Sequence, residues 1–272
     1  MSDAHLITSA SNPKVKWMRK LARDRKERQR SGMCLVEGLR LVTEAVQLEA
    51  PIESLVVCLE FLQSAHGKSL VLAQQAKGTP ILFVSLEAFK SISAKDGPQG
   101  IAAIVRQNWY SLDDLQLGNH SRWVALDSVA DPGNLGTILR TNDAVGGEGV
   151  LVLDQATDPY EMTALRASMG AVFSQKLARA TFESFLDWKQ ANGVPLIGAS
   201  GQGSVDYRQV TYPDSMVLLM GSERHGLREQ HMRACDEIVR ISMVGRSDSL
   251  NLAVATAVIL YEIFAQQRGD RK

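Results

Sequence analysis

Residues 216–227 have the sequence MVLLMGSERHGL, an apolar run that passes through a glycine turn into a short charged loop. A second segment, residues 241–255, has the sequence ISMVGRSDSLNLAVA, in which a Gly/Ser/Asp loop precedes a long apolar stretch. Each segment is typical of a buried strand that ends in a loop. In a parallel sheet the carboxyl ends of the strands share one edge, and ligands bind beyond that edge. We therefore expect the two loops to meet there.

The apolar stretch that follows the second loop predicts a buried C-terminal helix over residues 250–264. Asp248 and Ser249 are suitable N-cap residues for it. Ser249 and Asn251 place polar groups beside the free N–H donors of its first turn. Small alanines in the helix would let other backbone come close, although an ordinary core helix with a polar cap has the same pattern.

The composition is that of a folded globular protein in a reducing compartment. At 272 residues and 45% apolar content, the chain is long enough for two domains with separate cores. Cys34, Cys58 and Cys235 lie far apart, so neither a disulfide framework nor a zinc knuckle is indicated. No apolar leader or eighteen-residue apolar run is present, so we expect a cytoplasmic protein without a membrane span.

Positive charge is concentrated near the N-terminus, although the formal net charge of the chain is zero. Nine lysines and arginines lie between residues 14 and 30, against the acids Asp24 and Glu27. A solvated helix face is one explanation, and Trp17 among the charges favours a nucleic-acid contact. The candidate nucleic-acid-binding residues are Lys14, Lys16, Arg19, Lys20 and Arg23.

Short strands and helices alternate in both halves of the chain, which predicts an α/β protein. In the first half we expect strands at 33–37, 54–59, 81–85 and 101–106, with helices at 39–48, 62–77 and 86–92. In the second half we expect strands at 123–129, 149–153, 175–178, 194–199, 216–220 and 237–242. These later strands are apolar throughout, which predicts a parallel sheet covered on both faces. We therefore divide the chain into a small domain at 1–107, a polar linker at 108–122 and a larger domain at 123–272.

Residues 126–140, LDSVADPGNLGTILR, predict a strand that enters a helix through a Pro-Gly turn. With Asp154 at the end of the next strand, this arrangement is similar to a dinucleotide-binding unit. However, Gly133 and Gly136 give G-x-x-G where that fingerprint requires G-x-G-x-x-G. Arg140 lies one turn after Gly136 on the same helix face, where it could reach an anion or form an ordinary surface salt bridge.

The loop after the strand at 216–220 contains a candidate carboxylate, Glu223. It could accept a hydrogen bond from a ligand hydroxyl, or it could be the acid that the first turn of a helix favours. No metal site is indicated, because His225 and His231 lack a third ligand at suitable spacing, and we expect both at the surface.

Three motifs in this order resemble those of the SpoU/TrmH family of RNA 2′-O-ribose methyltransferases, in the SPOUT superfamily. The motifs are Asp131-Pro132-Gly133-Asn134-Leu135-Gly136 with Arg140 and Gly146; Gly221-Ser222-Glu223 with Gly226; and Ile241, Met243, Gly245 with Ser249-Leu250-Asn251. The first half resembles the ribosomal-protein-like RNA-binding domain of that family, including Val36-Glu37-Gly38 and Pro98-Gln99-Gly100. The departures are Ser242 in place of the usual proline, Asp143 in place of a small residue, and Leu252-Ala253 in place of Val-Ser.

This resemblance implies a SPOUT domain with a C-terminal trefoil knot, a feature that chain topology alone would argue against. It implies a homodimer with the active site near the subunit interface, and S-adenosylmethionine bound within the knot. The implied cofactor-binding residues are Ala199, Met220, Gly221, Ile241, Met243 and Leu250.

The resemblance also implies that Arg140 activates the ribose hydroxyl. Because a guanidinium is practically never deprotonated, we expect Arg140 to bind the neighbouring phosphate and the developing alkoxide rather than act as a simple base. Asn134, Glu223, Ser249 and Asn251 would orient ribose and cofactor. Ribosomal RNA, 23S in particular, is the expected substrate because of the N-terminal domain; transfer RNA, a non-catalytic RNA-binding protein and a nucleotide-dependent oxidoreductase are the alternatives.

Overall fold

The computed structural model describes residues 6–93, 97–115 and 117–269. The chain divides into two units, and the division does not follow the order of the sequence. The first unit consists of Met1–Gln107 together with Asp158–Phe173, and the second of Asn108–Thr157 together with Ser174–Lys272.

The first unit contains a four-stranded sheet in the order β1-β4-β2-β3. Its strands are β1 (Met33–Glu37), β2 (Ile52–Val57), β3 (Ile81–Phe83) and β4 (Ile101–Arg106). Its first five helices are α1 (Pro13–Arg23), α2 (Arg25–Ser31), α3 (Leu39–Gln47), α4 (Ala65–Ala76) and α5 (Leu86–Ile92). β2 and β3 are parallel, while β4 runs antiparallel to both of its neighbours. All four predicted strands are present, with ends displaced by up to two residues.

Helix α1 covers this sheet with its apolar face. The Asn12 side chain caps the helix by accepting a hydrogen bond from the Lys14 N–H at 2.9 Å, and Pro13 occupies the first helical position. Val15, Met18 and Leu21 recur at helical spacing and are fully buried against α5 and the strands. The basic residues of α1 are thereby left on its outer side.

The segment Asp158–Phe173 belongs to the first unit although the sequence places it within the second half. It contains α7 (Met162–Ser168), followed by a short 3₁₀ helix at Ala171–Phe173. Asp158 accepts a 2.8 Å hydrogen bond from Arg28, and Arg166 donates to the buried Glu37 at 2.7 Å. The expected continuous domain at 123–272 is therefore wrong for these residues, because ion pairs between positions so distant in sequence leave no local pattern.

Residues 108–122, expected to be a linker, are part of the second unit. The Tyr110 N–H donates to the Leu177 carbonyl at 2.8 Å, and a 3₁₀ helix spans Leu112–Asp114. Leu115 is 4% exposed and packs in the core with Trp123 and Phe185. The segment lacks apolar periodicity because irregularly spaced side chains such as Tyr110, Leu112 and Leu115, rather than a repeated face, pack against the core.

The second unit contains a seven-stranded sheet in which every neighbouring pair is parallel. Its strands are β5 (Arg122–Asp127), β6 (Gly149–Leu153), β7 (Lys176–Ala180), β8 (Leu196–Ala199), β9 (Val205–Asp206), β10 (Met216–Met220) and β11 (Glu237–Arg240). Their order is β7-β6-β5-β10-β8-β11-β9. The parallel sheet is confirmed; β9, only two residues long, was not expected.

Four helices flank this sheet: α6 (Pro132–Ala144), α8 (Phe182–Asn192), α9 (Glu229–Ala234) and α10 (Leu252–Gln267). α10 packs along α6 and buries Ala253, Ile259 and Ile263. Its cap is Asn251, not Asp248 or Ser249 as expected, because the Asn251 carbonyl oxygen accepts the Ala253 and Val254 N–H groups. In the described part of the chain, no helix is long and apolar enough to cross a membrane.

Candidate active site

A cleft of about 480 Å³ opens at the carboxyl ends of β8, β10 and β11. It is lined by Ala199, Ser200, Gly201, Met220, Gly221, Ser222, Glu223, Arg224, Gly226, Val239, Ile241, Met243, Asp248, Ser249, Leu250, Asn251, Leu252, Ala255 and Ile259. The loops after β10 and β11 therefore share one cleft, as the sequence predicts.

The loop after β10 is a tight turn that places Glu223 beside the start of α6. A Cβ atom on Gly221 would lie only 2.1 Å from the Gly226 carbonyl carbon, so the turn requires glycine at position 221. Glu223 accepts hydrogen bonds from the N–H groups of Ala130 at 3.0 Å and Asp131 at 3.1 Å. Its carboxylate therefore holds the loop between β5 and α6, which contains the first motif.

The pKa of Glu223 reflects two opposing influences. Burial raises the pKa of this carboxyl, but hydrogen bonds from Ala130, Asn134 and Asp131 outweigh burial and hold it below its ordinary value. Glu223 is therefore ionised at neutral pH, and its carboxylate accepts three hydrogen bonds from the start of the first motif and from Asn134.

Asn134 and Asn251 extend this contact into a hydrogen-bonded chain across all three motifs. The Asn134 amide nitrogen donates to Glu223 Oε1 at 3.1 Å, and its oxygen accepts from the Asn251 amide at 3.0 Å. Asn251 in turn caps α10. We call this arrangement the Glu223–Asn134–Asn251 chain; it fixes the start of α6, the turn after β10 and the start of α10 relative to one another.

Every residue expected to bind the cofactor lines the cleft: Ala199, Met220, Gly221, Ile241, Met243 and Leu250. Ser249 also lines it, with its hydroxyl 3.2 Å from Asp248 Oδ1. The walls combine apolar side chains with polar backbone and side-chain groups at one end, as in pockets that bind small organic molecules.

The model of the SpoU rRNA Methylase family matches residues 121–261, more than half of this chain. The chain belongs to the SpoU rRNA methylase family. A second family model, the MRM3-like substrate binding domain, matches residues 12–103. Membership of the SpoU family decides against the oxidoreductase alternative. Asp154, the residue considered for a ribose contact in that alternative, instead accepts hydrogen bonds from the Phe182 N–H and Arg228.

Several proteins named as rRNA methyltransferases are similar to this chain over almost its whole length. The AdoMet-bound rRNA methyltransferase from Sinorhizobium meliloti is 38% identical, with a TM-score of 0.87, over 95% of this chain and 97% of that one. The 23S rRNA (guanosine(2553)-2′-O)-methyltransferase RlmP of Bacillus subtilis is 29% identical over 94% of this chain and 98% of its own length. The 23S rRNA (uridine(2479)-2′-O)-methyltransferase of Streptomyces viridochromogenes is 30% identical over 98% of this chain and 94% of its own length.

Asn134 and Arg140, two of the five candidate catalytic residues, lie outside the lining of the cleft. Arg140 is on the exposed side of α6, two turns from the helix start that holds Asn134. Among the described residues, no hydrogen bond or ion pair occupies its guanidinium. Arg140 is therefore available to an anion that approaches along α6.

The candidate RNA-binding residues lie on α1 in the first unit. Lys14, Lys16, Lys20 and Arg23 are exposed, whereas Arg19 is half-buried and donates to the Ala10 carbonyl at 2.7 Å. Two other residues of the basic segment have structural roles.

The Trp17 indole N–H donates to Glu27 at 3.0 Å, and its half-buried ring packs against the core. Arg28 is buried in its ion pair with Asp158. Of the candidate RNA-binding residues, the three lysines and Arg23 remain exposed.

A buried charged cluster at the ends of β5 and β6 was missed in the sequence. Asp127 is 2% exposed and lies 3.2 Å from Arg228 and 2.7 Å from His231 Nδ1. His231 is buried against Phe182, so the expectation of a surface position is wrong for it, while His225 is exposed as expected. Burial lowers the pKa of His231, against the opposing effect of Asp127. Potential metal-ligand atoms of Asp127, Asp154 and His231 lie within 4.8 Å of one another. Arg228, however, already pairs with both carboxylates.

Proposed function

We propose that this SpoU-family chain is an RNA 2′-O-ribose methyltransferase that uses S-adenosylmethionine, and that its substrate is 23S ribosomal RNA. The observation that carries the proposal is the cleft lined by the second and third motifs, to which the Glu223–Asn134–Asn251 chain joins the first motif. Both named bacterial relatives act on 23S ribosomal RNA and align with both units of this chain. That coverage supports ribosomal RNA over transfer RNA and over a non-catalytic role.

The cleft fits the chemistry of S-adenosylmethionine. Ile241, Met243 and Leu250 offer apolar surface for a flat base. The backbone of 242–250 makes no backbone hydrogen bond among the described residues, so its N–H and C=O groups can bind base edges. Gly201, on the opposite wall, has no atom within 4 Å of where a Cβ would lie, which leaves space for a ligand. When bound, S-adenosylmethionine supplies an electrophilic methyl group.

The polar residues in and near the cleft have separate roles in this proposal. Asn134 and Glu223 hold the first motif in place, and we assign both a positioning role. Ser249, just before the N-terminus of α10, offers its hydroxyl to the ribose or to its phosphate. Arg140 offers a fixed positive charge to that phosphate and to the oxygen that becomes negative as the hydroxyl loses its proton.

We further propose that the active protein is a homodimer with a trefoil-knotted C-terminal segment. Support comes from α10, whose Val254 and Tyr261 are 49% and 53% exposed although the helix is strongly apolar. A second copy of the chain would cover this face. We also propose that residues 12–103 bind the RNA substrate through the basic face of α1, that catalysis requires no metal ion, and that the protein is cytoplasmic.

The first test is a calorimetric titration of the purified protein with S-adenosylmethionine, with NADH as the control ligand. We expect saturable binding of S-adenosylmethionine alone. Mapping of 2′-O-methyl marks on 23S ribosomal RNA from a deletion strain should then reveal one missing mark. Binding of neither ligand by a folded protein would contradict the methyltransferase.

Arg140→Ala tests the proposed role of the guanidinium. We expect methyl transfer to fall at least a hundredfold, because the developing charge loses its partner, while calorimetry shows unchanged cofactor affinity. Arg233→Ala, which removes an exposed arginine of α9, is the matched control. Unchanged methyl transfer by an Arg140→Ala protein that binds cofactor would exclude this role.

A further inference from the structure

The loop between β11 and α10, residues 242–250, forms one wall of the cleft but has little support of its own. It contributes Met243, Asp248, Ser249 and Leu250 to the lining. Among the described residues, it makes no backbone hydrogen bond, and one side-chain hydrogen bond joins it to the rest of the second unit. That bond runs from the Ser242 hydroxyl to Asp206 Oδ2 at 2.9 Å.

Asp206 is well placed to anchor the beginning of this loop. It lies in β9, which pairs in parallel with β11 and brings Asp206 opposite Arg240, the last residue of β11. The Tyr207 N–H donates to the Arg240 carbonyl at 3.0 Å, which holds the two chain segments side by side. The first residues of the loop therefore leave β11 directly beside the Asp206 carboxylate.

Arg208 fixes the Asp206 carboxylate from the other side. Its Nε donates to Asp206 Oδ1 at 2.9 Å, and its backbone N–H donates to the same oxygen at 3.1 Å. The Asp206 side chain is only 12% exposed. Arg208 holds the pKa of Asp206 well below its ordinary value, so the acceptor for Ser242 is a carboxylate held in one orientation.

The side chains around Ser242 alternate in direction. Ile241 and Met243 line the cleft, whereas Ser242, between them, bonds to Asp206 and is absent from the lining. Because Ser242 lies between the two lining residues in sequence, its hydrogen bond to Asp206 restrains the backbone that carries both of them. Asn251 fixes the other end of the loop through Asn134.

We propose that Asp206 is a positioning residue for the cofactor cleft, which acts through Ser242 to hold Ile241 and Met243 against the ligand. The inference rests on the proposed function, because it assigns the ligand of the cleft as S-adenosylmethionine. Asp206 lies outside the three SpoU motifs and does not touch the cleft. Asp206 holds the loop 242–250 in its binding conformation before the ligand arrives, so that less conformational entropy is lost on binding.

The test compares Ser242→Ala with Ser242→Thr and with Ser204→Ala. Ser204 is an exposed serine two residues before Asp206 and has no hydrogen bond among the described residues, so its variant is the matched control. We expect Ser242→Ala to raise the calorimetric Kd and the KM for S-adenosylmethionine about five- to tenfold, with kcat and Tm nearly unchanged. Ser242→Thr keeps the hydroxyl and should retain most of the affinity.

Limited trypsin cleavage at Arg246, within the loop, gives a readout that needs no ligand. We expect Ser242→Ala to be cleaved there several times faster than the wild type or Ser204→Ala, and Asp206→Ala to match it. Adding Ser242→Ala to Asp206→Ala should change neither readout further, because Asp206→Ala already removes the acceptor of the Ser242 hydroxyl.

Two results distinguish failure of the positioning role of Asp206 from failure of the proposed function. If the wild type binds S-adenosylmethionine and Ser242→Ala matches Ser204→Ala in Kd and in cleavage rate, the positioning role of Asp206 is wrong and the proposed function stands. If the wild type binds no S-adenosylmethionine, the proposed function is wrong and this inference falls with it.

Discussion

Glu223, in the second SpoU motif, forms its hydrogen bonds with a distant part of the same chain. The sequence indicated either a ligand contact or a helix-start acid, and could not distinguish between them. The structure shows that both carboxylate oxygens accept hydrogen bonds from the loop between β5 and α6. The partners lie about ninety positions away, so no local pattern could have identified them.

Glu223→Gln should therefore lower methyl transfer at least tenfold without removing any group that reacts. A glutamine has one acceptor oxygen, and its amide N–H₂ would face a backbone N–H that needs an acceptor. Steady-state methylation of ribosomal RNA is the measurement. Glu229→Gln, which alters an exposed acid on α9, should retain normal activity.

The pH dependence of cofactor binding provides an independent check on Glu223. Because its pKa is lowered in the folded protein, the stabilisation from its hydrogen bonds is fully present above its ordinary pKa of 4.5. It is lost only as the pH falls through the lower folded value. Calorimetric affinity for S-adenosylmethionine should therefore not vary with Glu223 ionisation from pH 8 to pH 5; a decline within this range that Glu223→Gln abolishes would contradict the assignment.

The cysteines should be unreactive in the native protein. Burial raises the pKa of Cys235 to about 12, and it raises the pKa of Cys34 and Cys58 as well. At pH 8 only about one Cys235 thiol in ten thousand is then a thiolate, the form that reacts. A colorimetric thiol assay should detect the three cysteines only after addition of denaturant, and rapid reaction of the folded protein would show that a thiol is accessible.

Among the elements, α10 depends on a residue with two functions. Asn251 caps the helix with its oxygen and reaches Asn134 with its nitrogen. Asn251→Asp retains the cap but loses the donor, and Asn251→Ala loses both. We expect Asn251→Ala to lower the free energy of unfolding by about 1 kcal/mol, with a smaller change for Asn251→Asp.

Both Asn251 variants should transfer methyl groups at least tenfold more slowly, because both break the Glu223–Asn134–Asn251 chain. Urea unfolding and steady-state kinetics together separate the two effects. Normal activity of Asn251→Asp would show that the link to Asn134 is dispensable.

The elements could largely be predicted from the sequence, whereas their assembly could not. Apolar runs located all the longer strands, and the helices at 39–47 and 86–92 appear close to their expected ends. β9 was missed because two residues are too short to give a pattern. The cleft was expected from the loops after β10 and β11, but the anchors supplied by Asn134 and Asp206 are visible only in three dimensions.

At the scale of the whole molecule, the segment 158–173 is held within the first unit by the buried ion pair of Arg28 with Asp158 and the partly buried pair of Glu37 with Arg166. Asp158→Ala would leave Arg28, whose side chain is 4% exposed, without its partner. Because an unpaired buried charge is costly, we expect the free energy of unfolding to fall by about 3–5 kcal/mol.

Arg106→Ala breaks the exposed pair with Glu53 and is the control, with an expected loss below about 1 kcal/mol. Thermal and urea unfolding measure both variants. Equal stabilities would show that the pair of Arg28 and Asp158 does not hold the segment.

The membership of residues 158–173 in the first unit has a consequence for the order of events during synthesis. Once Gln107 has been synthesised, all four strands of the N-terminal sheet exist, but Asp158 and Arg166, which pair with Arg28 and Glu37, do not. The ribosome must add residues 108–157 and α7 before both exist, which takes roughly 3 to 12 seconds at about 5–20 residues per second. The nascent N-terminal half must therefore wait for part of its neighbour to be translated before it can complete its own fold.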